Sequence, residues 1–400
     1  MKPTSRYLAI AAAMAIAAPC GADEIGDILA AIAANNSAIA ATSASALADS
    51  LSLRAVTRLD DPELDFEYNF GETTGDKWSV GVAQSFLWPS IYSARGQAVD
   101  AAAKAQRLEA QATGVDILLQ AKLLCINIIG LNKLAARQRE VVANLDELAQ
   151  KYSLALDQGE ATAIDINKIK ISRAEAKRAL AETDAARASA IEALAGLNGG
   201  QPIAGVDAAA LASYPIEPLE PLESYLSAAL GHDPTALKLD AAETAKKHES
   251  AEAGMSWIPK ISAGVKFTRE LGDNFYGVTA GATLPFFSGR GKKAQAKARL
   301  LAAQSEKDCY QAAAEAQIKA LYSRAESLRA LLDEYAYDGT DSMALLRMAL
   351  DGGQITLLSY LTETNYILEA CCSRIKVERD YFAALAELNK LELLPLTAAF

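Results

Sequence analysis

Histidine is nearly absent from this chain of 400 residues, and its scarcity excludes several kinds of chemistry. The two histidines, His232 and His248, lie 16 positions apart in polar surroundings, and no G-x-S-x-G motif for a catalytic serine occurs. The segment 289–293 lacks the spacing of a phosphate-binding loop and is interpreted as a joint between two elements. We therefore predict that the protein is not an enzyme and holds neither a cofactor nor a metal.

Cysteine is also scarce, and its positions show no metal-binding or redox spacing. The adjacent Cys371 and Cys372 are interpreted as small helix-packing residues, and a disulfide between helices stays open for the cysteines after the N-terminal segment. The five cysteines are Cys20, Cys125, Cys309, Cys371 and Cys372. A net charge of −11 argues against a nucleic-acid surface, so no nucleic-acid partner is expected.

Long apolar runs are missing after the first 22 residues. Residues 1–22 have a basic start, an apolar run and small residues before an acidic pair, and they predict a secretory signal cut after Ala22. Acylation of Cys20, as in a lipoprotein, is the alternative, although Pro19 argues against it. No later segment reaches the ~18 uninterrupted apolar residues of a transmembrane helix.

Proline is absent from Ser90 to Asp157, where apolar residues recur with helical spacing. These 68 residues predict a helix of ~100 Å, because each residue adds about 1.5 Å. Four prolines cluster in residues 201–221, which are interpreted as a linker at mid-height of the rod. The linker separates two similar halves, 23–200 and 222–394, and a tail follows at 395–400.

Each half repeats the order helix, strand, strand, long helix, return helix, so the predicted fold class is mainly α with a small β part. Half one has helices at 24–58 and 160–197 around its long helix, and half two has helices at 222–257 and 354–394 around a long helix at 290–350. In half one the return and pre-strand helices together match the long helix in length, and in half two the match is looser. We therefore expect them to stack end to end beside it, with linker and C-terminus at their junction.

Four strands are predicted at 63–71, 78–86, 260–269 and 276–286, with one apolar and one polar face. Alternating strands of about ten residues are typical of outer-membrane barrels, but four strands enclose no lumen. Three copies would supply a twelve-stranded barrel on a barrel of helices. The residues predicted to face lipid are Leu64, Phe66, Tyr68, Phe70, Trp78, Val80, Val265, Phe267, Tyr276 and Val278.

Several paired motifs resemble the TolC family of outer-membrane efflux proteins. They are the segments 35–39 and 233–237, the strand-to-helix joints 84–87 and 284–287, and the turns at Gly159 and Gly353. The resemblance covers the whole chain after residue 22. It implies a homotrimer in the outer membrane of a Gram-negative envelope, with its α-helical barrel in the periplasm. It also implies two partners, a periplasmic membrane-fusion adaptor and an inner-membrane pump of the RND or ABC type.

The resemblance further assigns roles to residues far from the strands. The turns that an adaptor would contact contain Leu156, Asp157, Gly159, Leu350, Asp351, Gly352 and Gly353. The candidates for a pore constriction are Asp165, Ser359, Thr362 and Glu363, although Ser359 and Thr362 stand where some family members have aspartate. Asp165 has an alternative role as an ordinary acidic residue at the start of a helix.

Two functional hypotheses follow from the sequence. The first is a passive outer-membrane channel of a tripartite efflux system, which conducts substrates from the pump to the exterior. The alternative is a periplasmic coiled-coil scaffold whose strands form a small sheet without crossing a membrane. The two differ in what covers the apolar strand face. Cargo, pump class and the resting state of the tip stay open.

Overall fold

A computed structural model describes residues 24–70, 75–203, 211–215, 217–285, 291–334 and 340–397. Its main elements follow the predicted order, and the fold class, mainly α with a small β part, is confirmed. They are α1 (Glu24–Asn35), α2 (Ser37–Ala55), β1 (Glu63–Asn69), β2 (Lys77–Phe86), α3 (Pro89–Asp157), α4 (Ala163–Leu197), α5 (Leu222–His232), α6 (Pro234–Gly254), β3 (Lys260–Glu270), β4 (Asp273–Thr283), α7 (Lys292–Glu334), α8 (Thr340–Asp351), α9 (Leu357–Leu388), a 3-10 helix (Lys390–Leu393) and α10 (Leu394–Thr397). The predicted signal, residues 1–22 with Cys20, lies outside the described residues.

The four strands form one antiparallel sheet in the order β1-β2-β3-β4. The predicted strand at 276–286 is wrong in its bounds, because β4 already begins at Asp273. Leu271 and Gly272 make a two-residue turn with φ of 54° and 93°, which matches the twist of a hairpin and leaves no room for a longer loop. The residues 71 and 286, at the predicted strand ends, lie outside the described residues.

The helices next to the sheet form a row in the same order as the strands. α2 leads into β1, β2 leads into α3, α6 leads into β3, and β4 precedes α7. α3 packs against α2 and α6, and α6 packs in turn against α7. α2 and α7 therefore flank the row, as β1 and β4 flank the sheet.

The long helix α3 has 69 residues and begins with Pro89 at its first position, where the missing N–H costs no hydrogen bond. Part of it is apolar enough to span a membrane, but more than half of that stretch is buried by the protein itself. Leu118, Ile126 and Ile129 pack there against α1, the linker residue Leu211 and the C-terminal segment. The apolar stretch of α3 therefore forms the main core, at the middle of the helix.

The prediction of one continuous helix at 24–58 is wrong, because the chain bends by 51° between α1 and α2. The Asn36 side chain accepts hydrogen bonds from the backbone N–H groups of Ala38 and Ile39 and so begins a new helix. Its amide also donates to the Leu197 carbonyl at 2.7 Å. This contact places the end of α4 against the start of α2, as expected for helices stacked end to end.

The second half has an equivalent helix break at Asp233, whose carboxylate accepts a hydrogen bond from Thr235 N–H and caps α6. Tyr310 on α7 donates to the same carboxylate at 2.5 Å. The linker and the C-terminus meet at this level. Buried Lys122 of α3 pairs with Glu217 at 2.6 Å, and Asn389 donates to the other oxygen of Glu217 at 3.0 Å.

The return helices begin three residues later than predicted. Thr162 and Thr356 cap α4 and α9 by accepting hydrogen bonds from the N–H groups of Asp165 and Ser359. The predicted single helix at 290–350 corresponds to α7 and α8, and its positions 290 and 335–339 lie outside the described residues. The bounds of the two halves, the linker and the tail stay predictions.

Candidate functional site

The apolar face of the sheet is built from rows of directly paired residues. One row contains Leu64, Val82, Val265 and Val278, and the next contains Phe66, Val80, Phe267 and Tyr276. Each row crosses all four strands. Both hairpins, although 200 residues apart in sequence, therefore contribute to one continuous surface.

This surface is open to its surroundings. Leu64, Tyr276 and Val278 are 72%, 83% and 88% exposed, and Phe70, which follows β1, is 87% exposed. The strand register places nine of the ten residues predicted to face lipid on this side of the sheet, and Phe70, just beyond β1, contacts the ring of Tyr68. Trp78 and Phe267 are half-buried by each other, with ring centroids 5.4 Å apart. An apolar face of this extent is unfavourable in water and marks a surface that another apolar phase or protein covers.

The opposite face of the sheet is polar and carries paired charges. The Glu67 carboxylate accepts hydrogen bonds from Lys266 at 3.0 Å and from Ser79 at 3.4 Å. Lys77 pairs with Glu270 across β2 and β3 at 2.8 Å. Side chains with satisfied charges suit a wall in contact with water.

Both edges of the sheet are unpaired among the described residues. β1 pairs only with β2, and β4 pairs only with β3. Each edge thus exposes a row of backbone N–H and C=O groups that another strand can complete.

The other end of the helices, which we call the tip, consists of two turns with the same backbone. The N–H of Glu160 donates to Ala155 O, and the N–H of Gln354 donates to Ala349 O, both at 2.8 Å. Gly159 and Gly353 have φ of 79° and 68°, the left-handed conformation that ends a helix. The predicted tip residues lie in or next to these turns, but Leu350 packs partly into the core beneath them.

The two turns differ in their ion pairs. Asp351 pairs with Lys151 of α3 at 2.5 Å and with Arg347 at 3.4 Å, and the Lys151 hydrogen bond holds the Asp351 pKa below its usual value. Asp157, its equivalent in the first turn, has no ion pair within the described part of the chain.

Arg347 connects α8 to the long helix of the other half. It donates to Asn144 Oδ1 at 2.7 Å and to Glu147 at 2.8 Å, and the Asn144 amide donates to Tyr360 Oη at 2.6 Å. Tyr360 is fully buried beneath the tip. We call this set of contacting residues the tip clamp; it consists of Asn144, Glu147, Lys151, Arg347, Asp351 and Tyr360.

Sequence reasoning missed most of the tip clamp. Arg347 and Asp351 have the i,i+4 spacing of a helical ion pair, which is a weak signal. The partners of Arg347 on α3 lie about 200 residues away, and the packing of α9 against both α3 and α8 brings them together.

The constriction candidates lie on the first turns of the return helices. Asp165 accepts hydrogen bonds from the N–H and hydroxyl groups of Thr162, and the Thr162 hydroxyl bond lowers the Asp165 pKa. Ser359, Thr362 and Glu363 are exposed on α9. Asp165 thus caps its helix, and the constriction role of all four residues stays a prediction.

Among the described residues, the histidines and cysteines form no cluster that could hold a metal ion. His232 is exposed at the end of α5, and no cluster of three metal-binding side chains occurs among the described residues. Cys125 and Cys309 are free thiols, the first buried and the second exposed, and burial raises the Cys125 pKa to about 12. Cys371 is buried on α9.

No family model and no curated protein sequence matches this chain. Solved structures do match it closely in fold. The outer membrane protein VceC from Vibrio cholerae superposes with a TM-score of 0.75 at 15% identity, covering 92% of this chain and 95% of that one. The Campylobacter jejuni CmeC outer membrane channel superposes with a TM-score of 0.71 at 13% identity, covering 92% of this chain and 85% of that one.

The open state of the Neisseria gonorrhoeae MtrE outer membrane channel gives a TM-score of 0.71 at 15% identity, covering 92% of this chain and 88% of that one. These chains share one fold over nearly their full lengths. The resemblance to the TolC family that the paired motifs indicate is thereby confirmed as a likeness of fold.

Proposed function

We propose that this protein is a channel of the bacterial outer membrane, in which three copies form one barrel and conduct substrates of an efflux system. The observation that carries the proposal is the open sheet, whose apolar face is exposed and whose two edges lack partners among the described residues. Lipid would cover the face, and neighbouring copies would complete the edges. The fold shared with outer-membrane channels supports this assignment.

The strand number supports three copies. Four strands cannot close around a lumen, because the smallest barrels have about eight strands. β1 and β4 run in opposite directions, so β4 of one copy can pair with β1 of the next and keep the sheet antiparallel. Even-numbered residues lie on the apolar face in both edge strands, and a continuous apolar surface therefore requires even-numbered residues to pair between copies.

The helices would form the rest of the conduit. At about 1.5 Å per residue, the 69 residues of α3 extend ~100 Å from the strands to the tip, far beyond the thickness of a bilayer. We propose that the tip turns contact an adaptor and, through it, an inner-membrane pump. The protein itself would perform no chemistry, and conduction would be passive.

The scaffold alternative fits the sheet less well. A sheet inside a scaffold would bury its apolar face in a protein core, whereas Leu64 and Val278 are among the most exposed large apolar residues described. No described helix packs against that face.

The proposal is tested by fractionating envelopes and measuring the mass of the protein extracted in mild detergent. We expect it only in the outer-membrane fraction, as a heat-modifiable particle near three times the 42.3 kDa chain, less the signal. A soluble monomer or dimer would overturn both the location and the shared barrel.

Cysteine pairs placed on the two edge strands test the shared barrel directly. The cysteines are placed at even-numbered positions of β1 and β4. Leu64→Cys is combined in turn with Tyr276→Cys, Val278→Cys or Ala280→Cys, and we expect one of these pairs to cross-link the copies into covalent trimers. The matched pairs that combine Leu64→Cys with Gly277→Cys or Thr279→Cys should not cross-link, because those side chains point to the other face.

A further inference from the structure

The first turns of α7 carry a charge that is unusual for this chain. Residues 291–305 contain Lys292, Lys293, Lys297 and Arg299 and no acidic residue, whereas the whole chain has a net charge of −11. Basic residues at the start of a helix also oppose its dipole. Helix stability therefore does not explain this run.

A second basic pair lies at the opposite flank of the row. Arg54 is in the last turn of α2, and Arg58 follows it before β1. We define the basic collar as Arg54, Arg58, Lys293 and Lys297. All four side chains are exposed and form no ion pair with any residue that the structure describes. Two other basic residues at this level are paired, Lys260 with Asp60 at 2.5 Å and Arg95 with Glu252 at 2.7 Å.

The basic collar lies directly beneath the strands. Lys307 pairs with Asp240 and Glu243, so the antiparallel packing of α6 and α7 places Lys293 beside the end of α6. Arg95 on the second turn of α3 donates to the Val56 carbonyl, which lies between Arg54 and Arg58 in the chain. All four residues are therefore within about two helical turns of the sheet.

Exposed tryptophans mark the boundary between the sheet and the collar. Trp88 precedes α3 and is 50% exposed, and Trp257 precedes β3 and is 73% exposed. Trp is enriched where hydrocarbon gives way to headgroups. The basic collar thus lies at headgroup depth if the apolar strand face lies in the membrane.

We propose that the basic collar binds the phosphates of anionic phospholipids in the leaflet on the helix side of the membrane. The inference rests on the proposed function. In a closed ring, α7 of one copy adjoins α2 of the next, because the two helices flank the row. Lys293 and Lys297 then approach Arg54 and Arg58, and their like charges repel unless an anion lies between them. A phospholipid headgroup supplies that anion at this depth.

The experiment measures which phospholipid the full-length oligomer retains. The protein is placed in vesicles of phosphatidylethanolamine with a minor share of phosphatidylglycerol and extracted again with a disc-forming polymer, and the retained lipids are quantified by mass spectrometry. We expect the wild type to be enriched about five-fold in phosphatidylglycerol, the effect of roughly one favourable basic contact. Added salt should reduce the enrichment.

The variant Arg58→Gln/Lys293→Gln/Lys297→Gln should lose the enrichment. The control Lys170→Gln/Arg329→Gln/Lys376→Gln makes the same charge change at exposed positions outside the collar and should keep it. If the first variant fails to assemble, Lys293→Gln/Lys297→Gln takes its place and should lose most of the enrichment, and enrichment at the wild-type level would again overturn the inference.

Equal enrichment in the glutamine variant and the wild type would overturn the inference, and so would equal loss in the variant and the control. A wild type without lipid preference would indicate that a neighbouring copy or another protein neutralises the basic collar. The proposed function is tested separately, because the location and mass of the wild type do not depend on these charges.

Discussion

The two tip turns have the same backbone but different surroundings. Gly159 and Gly353 both adopt positive φ, and Thr162 and Thr356 both cap the helix that follows. The second turn is tied to α3 through Arg347 and Asp351, whereas Ser153 occupies the place of Arg347 in the first half. Glycine and threonine thus set the shape of a turn, and a few charged residues decide how firmly it is held.

The same comparison extends to the two helix breaks at Asn36 and Asp233. Asn36 and Asp233 each begin a helix, but the amide of Asn36 can donate to the Leu197 carbonyl, whereas the Asp233 carboxylate accepts from Tyr310. The repeated halves therefore keep backbone positions and differ in the partner that each polar side chain engages. The sheet is the part of the molecule where the two halves should behave equally, because both hairpins contribute to one surface.

Arginine on either edge strand should have the largest effect. Leu64→Arg in half one and Val278→Arg in half two each place a charge on the apolar face. We expect each to destabilise the assembled barrel by about 2–4 kcal/mol per charge, the range for a lipid-facing arginine near the bilayer midplane. Urea midpoints of the heat-resistant oligomer in lipid measure the loss.

The controls for these variants are Glu63→Arg and Thr279→Arg, which lie next to them in sequence and on the polar face. They should keep most of the wild-type stability. If the arginine of one half were tolerated and that of the other were not, the two hairpins would not share one lipid-covered surface.

Removing Arg347 should come next in size. Arg347→Ala removes the hydrogen bonds that Arg347 donates to Asn144 and Glu147 and its ion pair with Asp351. Hydrogen bonds to charged groups contribute about 1.5–3 kcal/mol, so local opening at the second turn should become easier by about that amount. Hydrogen–deuterium exchange of residues 346–356 measures this opening.

Ser153→Ala, at the equivalent place in the first half, is the matched control and should leave exchange unchanged. Equal effects of the two substitutions would show that the tip clamp does not distinguish the halves.

Much of the fold was predictable because its signals are local and occur twice. The helical spacing of apolar residues, in a segment without proline, predicted α3. The alternation of apolar and polar residues identified both faces of the strands. The duplicated turn at Gly159 and Gly353 then fixed the order of the helices. Each of these signals lies within a short segment of sequence and needs no knowledge of distant contacts.

The features that the sequence did not reveal depend on distant contacts. The bend at Asn36 is completed by Leu197, and the tip clamp joins Asn144 to Arg347, about 200 residues apart. Buried Lys122 is stable only because Glu217 of the linker reaches it. A single sequence contains these residues but does not show which of them meet.

Alanine at the two tip glycines should have a smaller effect that is equal in both halves. No atom lies within 4 Å of a Cβ at Gly159 or Gly353, so only the positive φ opposes the substitution. We expect each change to cost about 1 kcal/mol of local stability. Exchange rates at the two turns measure it, and a clearly larger cost at one turn would show that the two backbones are not equivalent.

The smallest effect concerns the third position of the return helices, where the halves have Asp165 and Ser359. Asp165→Ser should lower the local stability of α4 by about 0.3–1 kcal/mol, the range for a carboxylate in a first helical turn, and Ser359→Asp should raise that of α9 by a similar amount.

The same carboxylate predicts a dependence on pH. Since the folded-state pKa of Asp165 is lowered, its contribution to stability is present above the unfolded value near 3.8 and is lost as pH falls through the folded pKa. The protection factors at the start of α4, which are exchange rates relative to the intrinsic rate at each pH, should therefore fall below about pH 4 in the wild type. They should not fall in Asp165→Ser, while α9 should acquire this dependence in Ser359→Asp. An acid response of α4 that persists in Asp165→Ser would mean that another group titrates there, and that the carboxylate does not distinguish the two helix starts.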